Sequence, residues 1–295
     1  MTWPPDCTRQ CELLANHTSF RIGGPAEWFA EPSTLDELIS VLREACRAGW
    51  PVLVVGGGTN TLASDRGIRG LVVHLGRGFR TIRELSDEGA PTARVSCGAA
   101  LLTQRLVALA SMRGWGGVEA LAGLPGQVGG AVAMNAQDIG QFVEQISFVS
   151  LDGTLRLMTH DQLRFRYRDT ALEPGIVAEV LVRFPRTDPG EARDRIQRAL
   201  RCRHETQDIR LPSAGCAFKN PPGIGAGRLI DQAGLKGARI GDAQVSQRHA
   251  NFIVNLGRAT CDDVLSLMEY VQRHVRRAFG VMLEPEVRLM GERFG

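Results

Sequence analysis

Nowhere in this 295-residue chain do apolar residues run on for the roughly 18 positions that a membrane helix needs, so no membrane span is expected. Charge of one sign is also lacking. The net charge is only +3 and the arginines are spread along the chain, without the clustered basic face that neutralises nucleic-acid phosphates. No nucleic-acid partner is therefore expected. Arg273, Arg276 and Arg277 do gather on one predicted helix, where they read as a solvated face. The first residues, Met1 to Asp6, offer no basic start followed by an apolar run, so no secretory leader is expected. The seven cysteines are dispersed and lack zinc-site spacing, and Cys202 and His204 stand alone. Free thiols in a reducing cytoplasm, with no metal site, are the expectation. Internal repeats and low-complexity segments are missing too.

What remains is an ordinary globular balance, 43% apolar and 23% charged, in a chain long enough for two domains. Thr34 and Glu37 fit a capping box, and Leu35, Leu38, Ile39, Leu42 and Cys46 follow at helical spacing up to Gly49. Strand-like runs cover 52–55 and 71–75 around a glycine-rich turn. A second unit starts near Arg80, with a strand over 93–97 and a helix over 101–112. Segment 122–130 is too rich in glycine for a regular element. A hairpin is expected over 146–158 around Asp152-Gly153, then a strand over 176–184. Pro185 to Pro189 is the best boundary, followed by a linking helix over 191–203. The last third carries a helix over Leu229, Ile230 and Ala233, a strand over 252–254 and a long helix over 260–279 capped by Thr260 with Asp263. A final strand over 283–287 ends the pattern.

Several segments point to chemistry. In Gly56-Gly57-Gly58-Thr59-Asn60, glycines after a buried strand let backbone N–H groups approach a diphosphate without Cβ interference. Thr59 and Asn60 break the spacing of a nicotinamide-binding Rossmann loop, and a plain tight turn explains the glycines equally well. A second loop holds Gly123, Leu124, Pro125, Gly126, Val128, Gly129 and Gly130. Two such loops suit a long ligand with a central diphosphate, such as FAD, although two unrelated turns also fit the spacing. Phe165, Tyr167 and Arg168 alternate, so an extended segment would set Arg168 on the face opposite the two aromatics. Its planar fork suits a carboxylate or phosphate if it points into a cleft. Cys216 sits in an apolar run ahead of Lys219-Asn220-Pro221, where a lone cysteine is ordinarily a small buried hydrophobe. Glu284 and Glu286 flank Pro285 and read alone as surface glutamates. From these residues the reading stops at an α/β nucleotide- or flavin-binding protein.

Taken in order, the segments resemble one family, the UDP-N-acetylenolpyruvoylglucosamine reductases (UDP-N-acetylmuramate dehydrogenases). They are Thr18-Ser-Phe-Arg-Ile-Gly-Gly-Pro-Ala26, the 56–60 loop, Ala122-Gly-Leu-Pro-Gly-Gln-Val-Gly-Gly-Ala131 and Phe165-Arg-Tyr-Arg-Asp-Thr170. Then come Ala214-Gly-Cys-Ala-Phe-Lys-Asn-Pro221, Ala226-Gly-Arg-Leu-Ile-Asp-Gln-Ala-Gly-Leu-Lys-Gly237 and Leu283-Glu-Pro-Glu-Val-Arg288. The length resembles the type without an extra substrate-capping insertion. The resemblance implies an α+β chain, with a two-subdomain FAD-binding fold of the PCMH or vanillyl-alcohol-oxidase-like kind plus a C-terminal α/β substrate domain. Residues 1–188 would form the FAD-binding part, as subdomains of about 1–79 and 80–188, and 189–295 the substrate part.

It also implies a cytoplasmic enzyme of peptidoglycan precursor synthesis that uses non-covalent FAD, NADPH as co-substrate and a UDP-sugar substrate. By the same resemblance Arg168 would stabilise an enolate-like charge, Glu286 would act with it or hold the geometry, and Cys216 would donate the proton. Tyr167, Lys219, Asn220 and His249 would touch the substrate. Cys216 stands where serine is commoner, Thr170 replaces a more usual serine, and Gln137 to Gly140 lack the usual aromatic. Other readings are an oxidase of the same architecture, which would consume oxygen, and a flavin-binding relative that turns over no NADPH.

Overall fold

The computed structural model describes residues 5–87, 89–207 and 211–291; Met1 to Pro4, read above for a leader, lie outside them. The N-terminal part runs β1 (Thr8–Leu13), β2 (Pro25–Ala30), α1 (Leu35–Arg47), β3 (Val52–Val54), β4 (Thr61–Ala63) and β5 (Ile68–Val73). Next come β6 (Ile82–Glu84), β7 (Thr92–Gly98), α2 (Thr103–Arg113) and α3 (Val128–Ala133). These are followed by β8 (Val143–Ser150), β9 (Leu155–Thr159), α4 (His160–Leu163), β10 (Gly175–Pro185) and α5 (Pro189–Thr206). The last part holds β11 (Ser213–Cys216), α6 (Ala226–Gln232), β12 (Arg239–Ile240), β13 (Ala243–Val245), β14 (Phe252–Asn255), α7 (Cys261–Phe279) and β15 (Arg288–Met290).

The chain forms two compact units. The first takes the described residues up to Arg9 together with 28–57 and 70–203; the second takes 10–27, 58–69 and the described residues from His204 onward. The boundary expected at 185–189 is a boundary in sequence only. Helix α5 stays with the first unit because Ile196, Ala199 and Leu200 pack on that unit's core.

In the first unit, α1 begins as its capping box requires. Thr34 accepts from the Glu37 N–H at 3.2 Å, and the Glu37 carboxylate accepts from the Thr34 N–H at 3.2 Å. Leu38, Val41, Leu42 and Ala45 put one face of α1 into the core. A five-stranded antiparallel sheet, β6-β7-β10-β8-β9, supplies most of the rest. Strand β3 pairs in parallel with β5, Val52 to Val54 opposite Leu71 to Val73. Segment 122–130 departs from expectation, since its end turns helical as α3 in spite of Gly129 and Gly130. The tertiary setting outweighs glycine's low helix propensity: Val128 and Val132 are fully buried, and a Cβ on Gly129 would come within 2.7 Å of Ala99 Cβ.

In the second unit, sheet β11-β14-β13-β12 is antiparallel, and β15 lies parallel to β4. The strand expected over 283–287 is reduced to a bridge at Pro285, and the regular strand starts only at Arg288. Helix α7 buries Val264, Leu267, Met268, Val271 and Val275. Its start is capped twice, by Thr260 reciprocally with Asp263 and by the Asp65 carboxylate, which accepts from the Cys261 N–H at 2.5 Å. Gly280, at φ +71°, ends it with an N–H bonded to the Arg276 carbonyl at 2.9 Å. Among the described residues no helix is long and apolar enough to cross a membrane.

Thr260→Ala removes one cap of the helix that closes the second core. A loss of about 1 kcal/mol is expected, read as a melting-temperature drop of about 2–4 °C. An unchanged melting temperature would show that Asp65 suffices alone.

Candidate functional site

The two glycine loops of the first unit meet. A Cβ on Gly57 would stand 2.9 Å from Gly126 Cα, and Gly126 itself adopts φ +119°. Only residues without side chains let the two backbones approach this closely. Thr103 holds the second loop, its hydroxyl donating to the Leu124 carbonyl at 2.6 Å and its N–H to the Gly126 carbonyl at 3.1 Å. The amides of Val128 and Gly129 are already engaged, donating to the carbonyls of Leu101 at 2.8 Å and Ala99 at 2.9 Å. These two residues therefore shape the loop rather than offer donors. Gly130 is exposed, with open space where a Cβ would stand, and Pro125 is exposed as well. A joined, side-chain-free surface of this kind fits the diphosphate of a dinucleotide such as FAD.

Within 56–60, the last three residues belong to the second unit. Gly58 has φ +62°, and a Cβ there would lie 1.9 Å from the His17 carbonyl, so packing alone demands glycine. Asn60 is committed to structure: its Nδ2 donates to the Glu286 carbonyl at 3.1 Å, and its own carbonyl accepts from the Arg288 N–H at 3.0 Å. Thr59 is half-buried beside it.

Arg168 lies in the first unit on a tight turn, not on an extended segment with alternating faces. The Arg166 N–H donates to the Asp169 carbonyl at 2.8 Å, and Arg168 takes φ +57°. A left-handed arginine costs about 1–2 kcal/mol, so the surroundings must impose it. Two contacts do so. Asn135 Nδ2 donates to the Arg166 carbonyl at 2.9 Å, and the fully buried Thr170 hydroxyl donates to the Val132 carbonyl of α3 at 2.5 Å. The turn is thus fastened to the helix that follows the second glycine loop. The guanidinium carbon of Arg168 is 5.7 Å from the ring centre of Tyr167, which is 56% exposed.

Cys216 and Glu286 both belong to the second unit, and main-chain bonds draw their segments together. The Glu286 N–H donates to the Ala217 carbonyl and the Lys219 N–H to the Glu284 carbonyl, both at 2.8 Å. Phe218 and Pro285 form the bridge between these bonds, the position in an antiparallel pair where proline's missing N–H is not needed. The pairing of β11 with β14 slips between Ser213 and Cys216, and Gly215 takes φ +74°, a bulge that re-aims the residue after it. Cys216 and Glu286 are both half-buried.

Lys219 Nζ stands 3.5 Å from the exposed Glu284 carboxylate, a loose surface pair that can exchange for an anionic ligand. Asn220 Oδ1 accepts from the Ala226 N–H at 2.9 Å, so the side chain is fixed in direction. His249 packs its ring 4.5 Å from that of Phe252, and its Nδ1 is buried with no hydrogen-bond partner among the described residues. Burial first, and the Lys236 charge after it, hold the imidazole below its ordinary pKa. Two asparagines whose side chains bond main-chain groups far off in sequence, Asn135 to Arg166 and Asn251 to Phe218, carry only a weak signal in the sequence. Both are buried, and the clue was an amide set inside an apolar run, Ala-Val-Ala-Met-Asn135 and Asn251-Phe-Ile-Val.

Comparison with known proteins agrees with this geometry. Residues 26–157 match the FAD binding domain family, and residues 207–290 match the UDP-N-acetylenolpyruvoylglucosamine reductase C-terminal domain. The chain is 44% identical over 293 residues to UDP-N-acetylenolpyruvoylglucosamine reductase 2 of Symbiobacterium thermophilum, covering 97% of this chain and 93% of that protein. The chain belongs to the UDP-N-acetylenolpyruvoylglucosamine reductase family. Another relative, the reductase of Geobacter metallireducens, is 42% identical over 95% of this chain. The crystal structure of the Thermus caldophilus reductase superposes with a TM-score of 0.80 at 38% identity, covering 96% of this chain and 99% of that one. The α+β fold and the FAD-binding domain expected from the sequence are thereby shown.

Gly57→Ala drives a methyl group against the Gly126 main chain. The purified variant is expected to carry much less flavin, read from the ratio of flavin to protein absorbance; full occupancy would separate this contact from cofactor binding. The depressed His249 pKa makes the unfolded chain bind more proton below its own value of about 6.5. This contribution to stability is complete above roughly pH 6.5 and falls away as the pH drops further. His249→Gln should flatten that part of the stability profile in thermal melts between roughly pH 8 and 5; an unaltered slope would assign it elsewhere.

Proposed function

We propose that this chain reduces UDP-N-acetylglucosamine enolpyruvate to UDP-N-acetylmuramate, with NADPH as the reductant, in the cytoplasmic synthesis of peptidoglycan precursors. The observation that carries this reading is the pairing of Ala217–Lys219 with Glu284–Glu286, which sets the segment of a proton donor beside that of a carboxylate. Bound FAD supplies a two-electron carrier between NADPH and C3 of the enolpyruvyl group. The loops around Gly57 and Gly126 would hold its diphosphate.

Arg168 is assigned to the negative charge that develops at C2 and the adjoining carboxylate, which its guanidinium stabilises electrostatically. Its fixed turn supports that role, because a preorganised charge needs little reorganisation during the reaction. Cys216 is assigned the proton for C2, donated from Sγ–H. A thiol has an S–H proton to give and is far more acidic than an aliphatic hydroxyl, which favours transfer to carbon. The resulting thiolate regains a proton from solvent. Glu286 orients the substrate carboxylate end or the Cys216 segment, while Tyr167, Lys219, Asn220 and His249 are assigned to the UDP-sugar. Lys219 suits the diphosphate as a mobile point charge.

The test is NADPH oxidation that depends on added UDP-N-acetylglucosamine enolpyruvate under anaerobic conditions. Cys216→Ser should keep substantial turnover. Cys216→Ala should abolish enolpyruvyl reduction while NADPH still bleaches the flavin. Full steady-state turnover in the alanine variant would remove Cys216 from the donor role, and no substrate-dependent oxidation by the unmodified protein would remove the proposed activity itself.

A further inference from the structure

We infer that Asn251 is a positioning residue, fixing the Cys216 and Glu286 segments in register; the role rests on the proposed reduction. Asn251 is only 2% exposed, and all three of its amide and carbonyl contacts point at one short stretch of chain. Its Oδ1 accepts from the Phe218 N–H at 3.0 Å, its Nδ2 donates to the Phe218 carbonyl at 2.8 Å, and its main-chain carbonyl accepts from the Ala217 N–H at 2.7 Å.

The reason lies in the sheet. Strand β14 begins at Phe252, opposite Cys216, so no strand residue stands across from Phe218 on that side. A side-chain amide has the same carbonyl and N–H pair as a peptide group, and Asn251 supplies the missing rung. On the other side, the Ala217 carbonyl and Lys219 N–H bond Glu286 and Glu284. Every main-chain donor and acceptor from the Ala217 N–H to the Lys219 N–H is thereby committed, either to Asn251 or to the glutamate segment. Asn60 then closes the far side of that segment by taking the Glu286 carbonyl at 3.1 Å. The residue after Cys216 and the residue bearing the carboxylate thus have little freedom to shift against each other. Aspartate keeps the shape of Asn251 but turns an oxygen toward the Phe218 carbonyl, and alanine leaves both Phe218 groups without a partner.

The experiment uses the full-length, flavin-loaded protein and separates the two half-reactions by rapid mixing. Asn251→Ala and Asn251→Asp should reduce the flavin with NADPH within about twofold of the unmodified rate. Reoxidation by UDP-N-acetylglucosamine enolpyruvate should slow by about 100-fold, the scale expected when reacting groups are misplaced by an ångström. The solvent deuterium isotope effect on that step should rise, because proton delivery becomes limiting. Unchanged reoxidation in either folded variant overturns the inference. So does an equal loss of both half-reactions, or failure of both variants to fold, since either assigns Asn251 to stability alone. If the unmodified protein itself fails to reduce the enolpyruvyl substrate, the proposed activity is what falls.

Discussion

The hydrogen-bonded pairing of Ala217–Lys219 with Glu284–Glu286 joins segments that are distant in the chain, and the chemistry proposed for the second unit depends on it. The pairing is short, so its geometry has to be held from outside. Asn251 lines one edge, Asn60 the other, and the core beneath includes Phe218 and Leu283, both at most 1% exposed. Pro285 occupies the one kind of ladder position that asks no donor of it. Polar groups buried in this way specify a single register, because any slip would leave several main-chain groups without partners at once.

The first unit solves a different problem by removing side chains. Where Gly57 faces Gly126, the absence of Cβ atoms allows two loops far apart in the sequence to form one surface. Rigidity comes from the neighbouring helix: α3 is anchored through Val128 and Gly129, and it in turn receives the Thr170 hydroxyl beside the Arg168 turn. The strained left-handed backbone at Arg168 is thus borne by contacts to the helix that also anchors the second glycine loop.

Among the cysteines, environment separates roles that composition cannot. None of the seven forms a disulfide, yet Cys97 is fully buried and its pKa is pushed up to about 12, chiefly by desolvation and then by Glu179, so it is inert at any ordinary pH. Cys216, half-buried after a bulge, has access that Cys97 lacks.

The regular elements were legible because their signals are local. Thr34 with Glu37 and Thr260 with Asp263 announce α1 and α7 through contacts three residues apart, and apolar spacing marks the buried faces. The order of the motifs was legible too, and it named the family. Less legible were α3, whose glycines read as loop, the turn at Arg168, and the structural duty of Asn60 and Asn251. By itself the sequence determined most helices, most strands, the family and the residue types available for reaction. Only the tertiary structure decided which glycines touch, why Arg168 sits in a left-handed turn, and how the Cys216 and Glu286 segments come into register. Those features rest on hydrogen bonds and close approaches between residues far apart in the chain, and no local pattern encodes such a meeting.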